Sequence, residues 1–290
     1  MRVIVGIDQE TYPPALDLLV ALRFAAAELQ LVHVIESPLQ DLPKVPLDPV
    51  REWLDNLQEQ ARRELEEARR RLEGSSYQIE TTILHGDTPK TLIERGREWG
   101  ADLVAIGSSK KGHWGALFYG SVTKAIAAGA EQSVLVAKQP PRGEEGLHVV
   151  VATDHSDYFS RCFERFLGWE VGGIRSATVL TSLSREGVPK GALSDKTFDA
   201  LQEEVREQNE KLCARLREKG VEASCLLSSS PPQDAIATTM KETNADLLIL
   251  GAQGHGFWDR VRLGSVSYYE VIATDHNVLV LRVLPAGYNQ

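Results

Sequence analysis

The sequence predicts an α/β protein built from two tandem, doubly wound domains, each around a five-stranded parallel sheet. Three observations lead there. Apolar runs of strand length alternate with helical patterns along all 290 residues. The strands are apolar on both faces, as parallel strands covered by helices must be. The chain is also written twice: ADLVAIG at 101–107 returns as ADLLILG at 245–251, GSVT at 120–123 as GSVS at 264–267, and SVLVAK at 133–138 as NVLVLR at 277–282, all offset by 144. The opening strand returns too, VIVGID at 3–8 becoming VVVATD at 149–154, offset by 146. Matched blocks in one order at a nearly constant offset mean a duplicated domain, because solenoid repeats are only about 20–50 residues long. Each half is long enough to bury a core of its own.

The elements follow in order. VIVGI at 3–7 reads as a buried strand, PALDLLVALRFAAAEL at 14–29 as a helix, and 29–35 as strand two. Within 47–73, Val50, Leu54, Leu57, Ala61, Leu65, Ala68 and Leu72 follow a 3.6-residue period and predict a long helix. IETTIL at 79–84 is strand three, and 88–99 is a helix begun at Thr88 with Pro89 at its first position. DLVAIG at 102–107, a helix at 121–130 and SVLVAK complete the first half. The second half repeats the order: VVVAT, a helix near 157–168, ATVLTSL, a long helix at 196–219, VEASCLL, a helix near 232–243, DLLILG, the helical SVSYYEVIAT and NVLVLRV. Right-handed crossovers turn each series into a doubly wound sandwich.

Three units of organisation result: domain one at 1–138, a Pro-, Gly- and charge-rich linker at 139–146, and domain two at 147–290. The stretch 182–196 reads as a loop. The last strand of each half would be an apolar edge if left alone, and such edges are usually covered or paired. Each copy offers the same surface, so the halves are expected to pack through SVLVAK and NVLVLR as an internal pseudo-dimer. A homodimer of the whole chain stays open.

Net charge is −9 and the sequence pI about 5.4, which excludes non-specific binding to nucleic acid or anionic membrane. No apolar run approaches the roughly 20 residues of a membrane span. MRVIVGIDQE enters a strand at once without a small-residue cleavage site, so no secretory signal is expected. Cys162, Cys213 and Cys225 are odd in number, confined to the second half and without metal-ligand spacing; they read as reduced thiols of a cytoplasmic protein. Arg outnumbers Lys, and Cys and Met are scarce, which leans toward a thermophile.

In a doubly wound sheet, ligands sit at the carboxyl ends of the strands, where strand order reverses. The fourth strand of each half ends there in glycine. The second half reads Gly251-Ala-Gln-Gly254, nine residues, then Gly264-Ser265. Gly251 and Gly254 would let the backbone turn with positive φ and come close to a ligand. Gly264-Ser265 opens a helix whose free N–H groups attract phosphate, and the Ser265 hydroxyl can add a hydrogen bond. The first half reads Gly107-Ser-Ser-Lys110, nine residues, then Gly120-Ser121. Lys110 in place of glycine either strains a left-handed turn by about 1–2 kcal/mol or adds a charge to the phosphates, and the nearby Gly112 could shift the turn. A Walker-type loop is excluded because His113-Trp114 follow Gly112, and a dinucleotide fingerprint because the third glycine is missing and the loop follows strand four.

The pattern G-x2-G-x9-G-[ST] after ADLxxxG, with an Asp ending strand one, resembles the universal stress protein family in its tandem form, over nearly the whole chain. The resemblance implies a Rossmann-like, adenine-nucleotide α-hydrolase-like fold, and ATP held, with Mg²⁺, by the glycine loop and the helix start. The strand-one Asp and the end of strand two would hold the base. Carried over, the second-half site is Thr153, Asp154, Ser182, Leu250, Gly251, Gly254, Gly264, Ser265 and Val266. The first-half site is Ile7, Asp8, Val34, Ile106, Gly107, Lys110, Gly120, Ser121 and Val122. The resemblance also implies that the halves pair as single-domain relatives do. No catalytic or metal-ligating set is assigned, and without an evident general base any ATP hydrolysis should be slow.

Plainer readings stand beside these. The glycine loops could be tight turns only. Ser121 and Ser265 could cap their own helices, and Asp8 and Asp154 the helices that follow them. His113 and His255 could be solvated loop histidines, Lys110 and Lys111 exposed charges, and His33 and Cys225 fillers within strands. The functional expectation is a nucleotide-dependent regulatory or stress-response module in the cytoplasm. One alternative is a nucleotidyl-transfer enzyme of the same superfamily, although the HxGH-type motif is missing after both first strands. The other is an interaction scaffold with empty loops.

Overall fold

The computed structural model describes residues 1–36, 48–108, 120–143, 145–185, 194–253 and 263–283. The first half runs β1 (Arg2–Ile7), α1 (Pro13–Leu22), β2 (Glu28–Ile35), α2 (Asp48–Arg71), β3 (Gln78–His85), α3 (Thr88–Trp99), β4 (Leu103–Gly107), α4 (Ser121–Gly129) and β5 (Ser133–Ala137). The second runs β6 (Leu147–Ala152), α5 (Asp157–Leu167), β7 (Ile174–Ser182), α6 (Asp195–Glu218), β8 (Glu222–Ser228), α7 (Pro232–Glu242), β9 (Leu247–Gly251), α8 (Ser265–Ala273) and β10 (Asn277–Leu281).

The strands form one continuous sheet in the order β3-β2-β1-β4-β5-β10-β9-β6-β7-β8. Within each half all pairs are parallel; β5 and β10 alone meet antiparallel, with Val134 opposite Val280, Leu135 opposite Leu279 and Val136 opposite Val278. Leu135 and Leu279 are repeat equivalents, so a pseudo-two-fold axis passes between them. The expected pairing through the last strands is what the structure shows.

The double-sided apolar strands explain the layers. Val3, Val5, Leu135 and Leu279 face one core with residues of α1, α2, α5 and α6. Ile4, Val134, Val136, Val278 and Val280 face the other, with α3, α4, α7 and α8. Each core runs through both halves, so the two domains share their interior.

Helix ends are also shared. Lys138 Nζ, just past β5, donates to Glu270 O and Thr274 O of α8, each at 2.8 Å. Its repeat equivalent, Arg282, just past β10, donates from Nη1 and Nη2 to Ala130 O and Ala127 O of α4. Each half thus sets a cation against the carbonyl end of a helix in the other, where the helix dipole and unpaired carbonyls favour positive charge. Arg282 is 6% exposed, and burial lowers its pKa from the ordinary value. Arg282→Met should keep most of the packing yet leave two carbonyls unpaired, costing about 1–3 kcal/mol in urea unfolding. An unchanged midpoint would remove this cap from the account.

Three expectations need correction. The helix expected over 14–29 stops at Leu22, because Arg23 turns left-handed (φ 51, ψ 61) and the chain then joins the other half. Gly173 N donates to Leu22 O (2.9 Å), Gly172 N to Arg23 O (3.0 Å), and Phe24 bridges to Val171. The approach is so close that a Cβ on Gly173 would lie 1.7 Å from Ala21 O. Second, Cys213 and Cys225 are not separate thiols: α6 packs on β8 and the two are joined in a disulfide, leaving Cys162 free and buried. Third, α3 is capped by Asp87, whose side chain accepts from Lys90 N, so Pro89 is not the first residue of the helix. The segment leading out of β5 is also held down: Lys138 N and Gln139 N donate to Asn277 Oδ1, and Arg142 N donates to Asp246 Oδ1.

Candidate functional site

Strand order reverses between β1 and β4, and again between β6 and β9, so each half opens a cleft at the carboxyl ends of those strands. The second-half cleft, about 230 Å³, is lined by Thr153, Asp154, Ser182, Leu250, Gly251, Gly264, Ser265 and Val266, with Ala152, Phe159, Leu180, Pro232, Ile236, Gln253 and Ser267. The first-half cleft, about 550 Å³, is lined by Ile7, Asp8, Val34, Ile106, Gly107, Gly120, Ser121 and Val122, with Gly6, Gln9, Thr11, His33, Glu36, Thr88, Ser108 and Thr123 among others. Gly254 and Lys110, with Lys111, Gly112, His113 and His255, lie outside the described residues. Ser182, from the strand that aligns poorly by sequence, is the counterpart of Val34: Val32 pairs with Gly6 as Leu180 pairs with Ala152.

The helix starts differ from the sequence reading in one respect. Gly120 and Gly264 are the N-caps, with no side-chain cap, and Ser121 and Ser265 are the first helical residues. Their hydroxyls therefore do not cap. The residue two further on anchors each helix instead: Ser267 Oγ donates to Gly251 O (2.7 Å), and Thr123 Oγ1 lies 2.8 Å from Ser108 Oγ. The recurring T/S of GSVT and GSVS carries that signal in the sequence.

The glycines ending β4 and β9 serve packing more than a turn. Neither takes positive φ. A Cβ on Gly107 would lie 1.7 Å from Thr11 O, so the loop after β1 crosses directly over it. On Gly251 the nearest atom would be Gln253 O at 3.3 Å.

Asp8 and Asp154 do not cap the helices that follow them, since the N-cap of α1 is Tyr12, without a side-chain cap, and α5 is capped by Ser156; they organise the intervening loops instead. Asp8 Oδ1 accepts from Glu10 N (3.1 Å) and Thr11 N (2.6 Å), and Oδ2 from the Thr11 hydroxyl. Asp154 Oδ1 accepts from Ser156 N (3.0 Å) and Ser156 Oγ (2.7 Å), while Ser156 caps α5. Both carboxylates still line their clefts.

Behind each cleft floor the halves diverge. His33 Nδ1 lies 3.1 Å from Glu64 Oε2, both side chains largely buried. Burial lowers the pKa of His33 and raises that of Glu64, with Asp8 raising both. In the second half Thr181 takes the place of His33 and donates to Asn209 Oδ1 (2.7 Å), which also meets His155 Nε2 at 2.9 Å. Both clefts carry the strand-one Asp and an apolar wall; the first adds His33 and Glu36, and the second adds Phe159, Pro232 and Ile236.

The far end of α8 holds another titratable group. Glu270 is 1% exposed at the buried end of α8, with Thr274 Oγ1 donating to its backbone carbonyl at 2.8 Å. Burial pushes its pKa up to about 7 against the opposing charge of Lys138. A carboxyl raised in the folded state contributes stability below its unfolded pKa, and that contribution is lost as pH rises through the folded value. Wild type should therefore lose about 2–3 kcal/mol relative to Glu270→Gln between about pH 4.5 and 7. Parallel denaturation curves for the two proteins across that window would contradict this.

Together the fold and clefts define a tandem pair of doubly wound domains with helix starts at the strand ends. The universal stress protein family model matches residues 1–138 and 147–282, and the chain belongs to that family. No curated protein matches it. Among solved structures it resembles a universal stress protein from Archaeoglobus fulgidus at 20% identity and TM-score 0.68, covering 97% of this chain and 98% of that one. A functionally unknown protein from Pseudomonas aeruginosa aligns at 15% identity and TM-score 0.60, covering 97% and 92% respectively. These likenesses concern the fold. No helix among the described residues is long and apolar enough to cross a membrane.

Proposed function

We propose that the chain is an adenine-nucleotide-binding module that takes ATP with Mg²⁺, foremost in the second-half cleft. One observation carries this reading: the uncapped N-terminus of α8 at Gly264-Ser265 borders the same cleft as Asp154, Ser182, Leu250 and Gly251. An apolar wall suits a base, and a free helix start suits phosphate. The first half is proposed as a weaker, salt-sensitive site. Asp8 and Glu36 put two carboxylates on its lining, which oppose a polyphosphate, and any gain from Lys110 would be a point-charge contact. A cytoplasmic, regulatory role with slow hydrolysis at most completes the reading.

Mass spectrometry of small molecules released from the purified, denatured protein tests it first, and calorimetry with ATP and Mg²⁺ on the whole chain second. Neither retained nor titratable adenine nucleotide would leave the interaction-scaffold reading. Steady pyrophosphate release from ATP would favour the nucleotidyl-transfer enzyme.

A further inference from the structure

The cysteines of the second half mark a place that the nucleotide reading does not use. α6 packs against β8, the outer strand of the second half, and none of Glu210, Cys213 and Cys225 lines the cleft. Cys213 on α6 and Cys225 on β8 are bonded, their Cα atoms 6.6 Å apart. Glu210 stands one turn before Cys213 on the same helix face. Its Oε2 lies 3.4 Å from Cys225 Sγ, and the donor atoms of all three residues fall within 4.8 Å of one another. Arg217 holds the other carboxylate oxygen, Oε1, and anchors itself on Ala223 O at 2.7 Å. The carboxylate is thereby aimed at the sulfur. Cys213 is fully buried, while Cys225 and Glu210 are exposed.

We propose that reduction of Cys213–Cys225 opens a site for a thiophilic divalent cation of the Zn²⁺ class, held by both thiolates and the Glu210 carboxylate. A dithiol supplies the two electrons and two protons: the Cys213–Cys225 bond breaks, the reductant closes its own disulfide, and two thiols result. Metal binding then displaces the two thiol protons to solvent, and water completes the fourth position. Tetrahedral ligation sets sulfurs about 3.8 Å apart and each sulfur about 3.6 Å from the oxygen, given metal–ligand distances near 2.3 and 2.1 Å. The Glu210–Cys225 distance already matches, and side-chain rotation parts the sulfurs. In the disulfide form the carboxylate pairs with Arg217. Three anions facing one another have use for a cation, because each disfavours the charge of the others. Arg217 then does for Glu210 what outer partners do for metal-bound carboxylates.

The test uses the full chain, reduced with a phosphine, freed of metal and titrated with Co²⁺. One equivalent should bind with a sulfur-to-cobalt charge-transfer band, and Zn²⁺ should displace it. The oxidised chain should show no such band. Cys225→Ser, at an exposed position, should abolish the band, and Glu210→Gln should weaken binding about tenfold or more. A reduced wild type without the band, or a Cys225→Ser variant that keeps it, overturns the proposal. So does Glu210→Gln binding as tightly as wild type.

Discussion

Gly264→Val should weaken ATP binding to the second half by about a hundredfold, close to abolishing it in calorimetry. Gly264 has φ −63 and ψ 157, a conformation any residue adopts, so the fold should tolerate the change. The damage falls on the ligand. Gly264 caps α8 with no side chain, so the N–H groups of the first turn stay open toward the cleft. A branched side chain there blocks close approach of a phosphate and removes charge-assisted contacts worth roughly 1.5–3 kcal/mol each. Gly120→Val in the first half, where a Cβ meets nothing within 4 Å, makes the matched control. If Gly264→Val keeps wild-type affinity and stoichiometry, the helix start at Gly264 does not hold the nucleotide.

Leu279→Ala should destabilise the whole chain by about 3–5 kcal/mol in a single unfolding transition. Leu279 is fully buried opposite Leu135 at the pseudo-two-fold axis. It belongs to a core that also contains Leu16 and Leu19 of α1 and Phe163 of α5, so the cavity weakens both halves together. The continuous sheet and the reciprocal caps at Lys138 and Arg282 point the same way. Denaturation followed by fluorescence and by circular dichroism should give coincident curves. Two resolved transitions, with only the later residues affected, would mean that the halves fold as independent beads.

Much of this was legible because it is written in local periodicity and in repetition. The double-sided apolar strands predict the parallel sheet, and the offset of 144 predicts two like domains whose last strands pair. The cleft linings were legible through GSVT and GSVS at fixed distance from the strand-ending glycines. The anchoring Thr123 and Ser267 sat in the same blocks, as did Lys138 and Arg282, both cations at the close of SVLVAK and NVLVLR. Their pattern recurs, but a cation after a strand says nothing of the helix it will reach.

Local pattern thus fixes the kind and order of the elements, the duplication, and the strand ends at which the two clefts open. Those follow from side-chain periods of two and 3.6 residues and from glycines at set spacings, all short-range properties. Tertiary structure alone decided what depends on closure over long distances. FAAAEL has good helical propensity, yet α1 stops at Leu22 because the neighbouring backbone at Gly172 and Gly173 supplies the next hydrogen bonds. Cys213 and Cys225 lie 12 residues apart without a ligand spacing, and only the packing of α6 on β8 brings them and Glu210 together. Gly107 lines the first-half cleft, and only the folded chain shows that Thr11 crosses over it closely enough to leave no room for a Cβ. In each case the local pattern admits several partners, and the partner is chosen by which surfaces the folded sheet brings within reach.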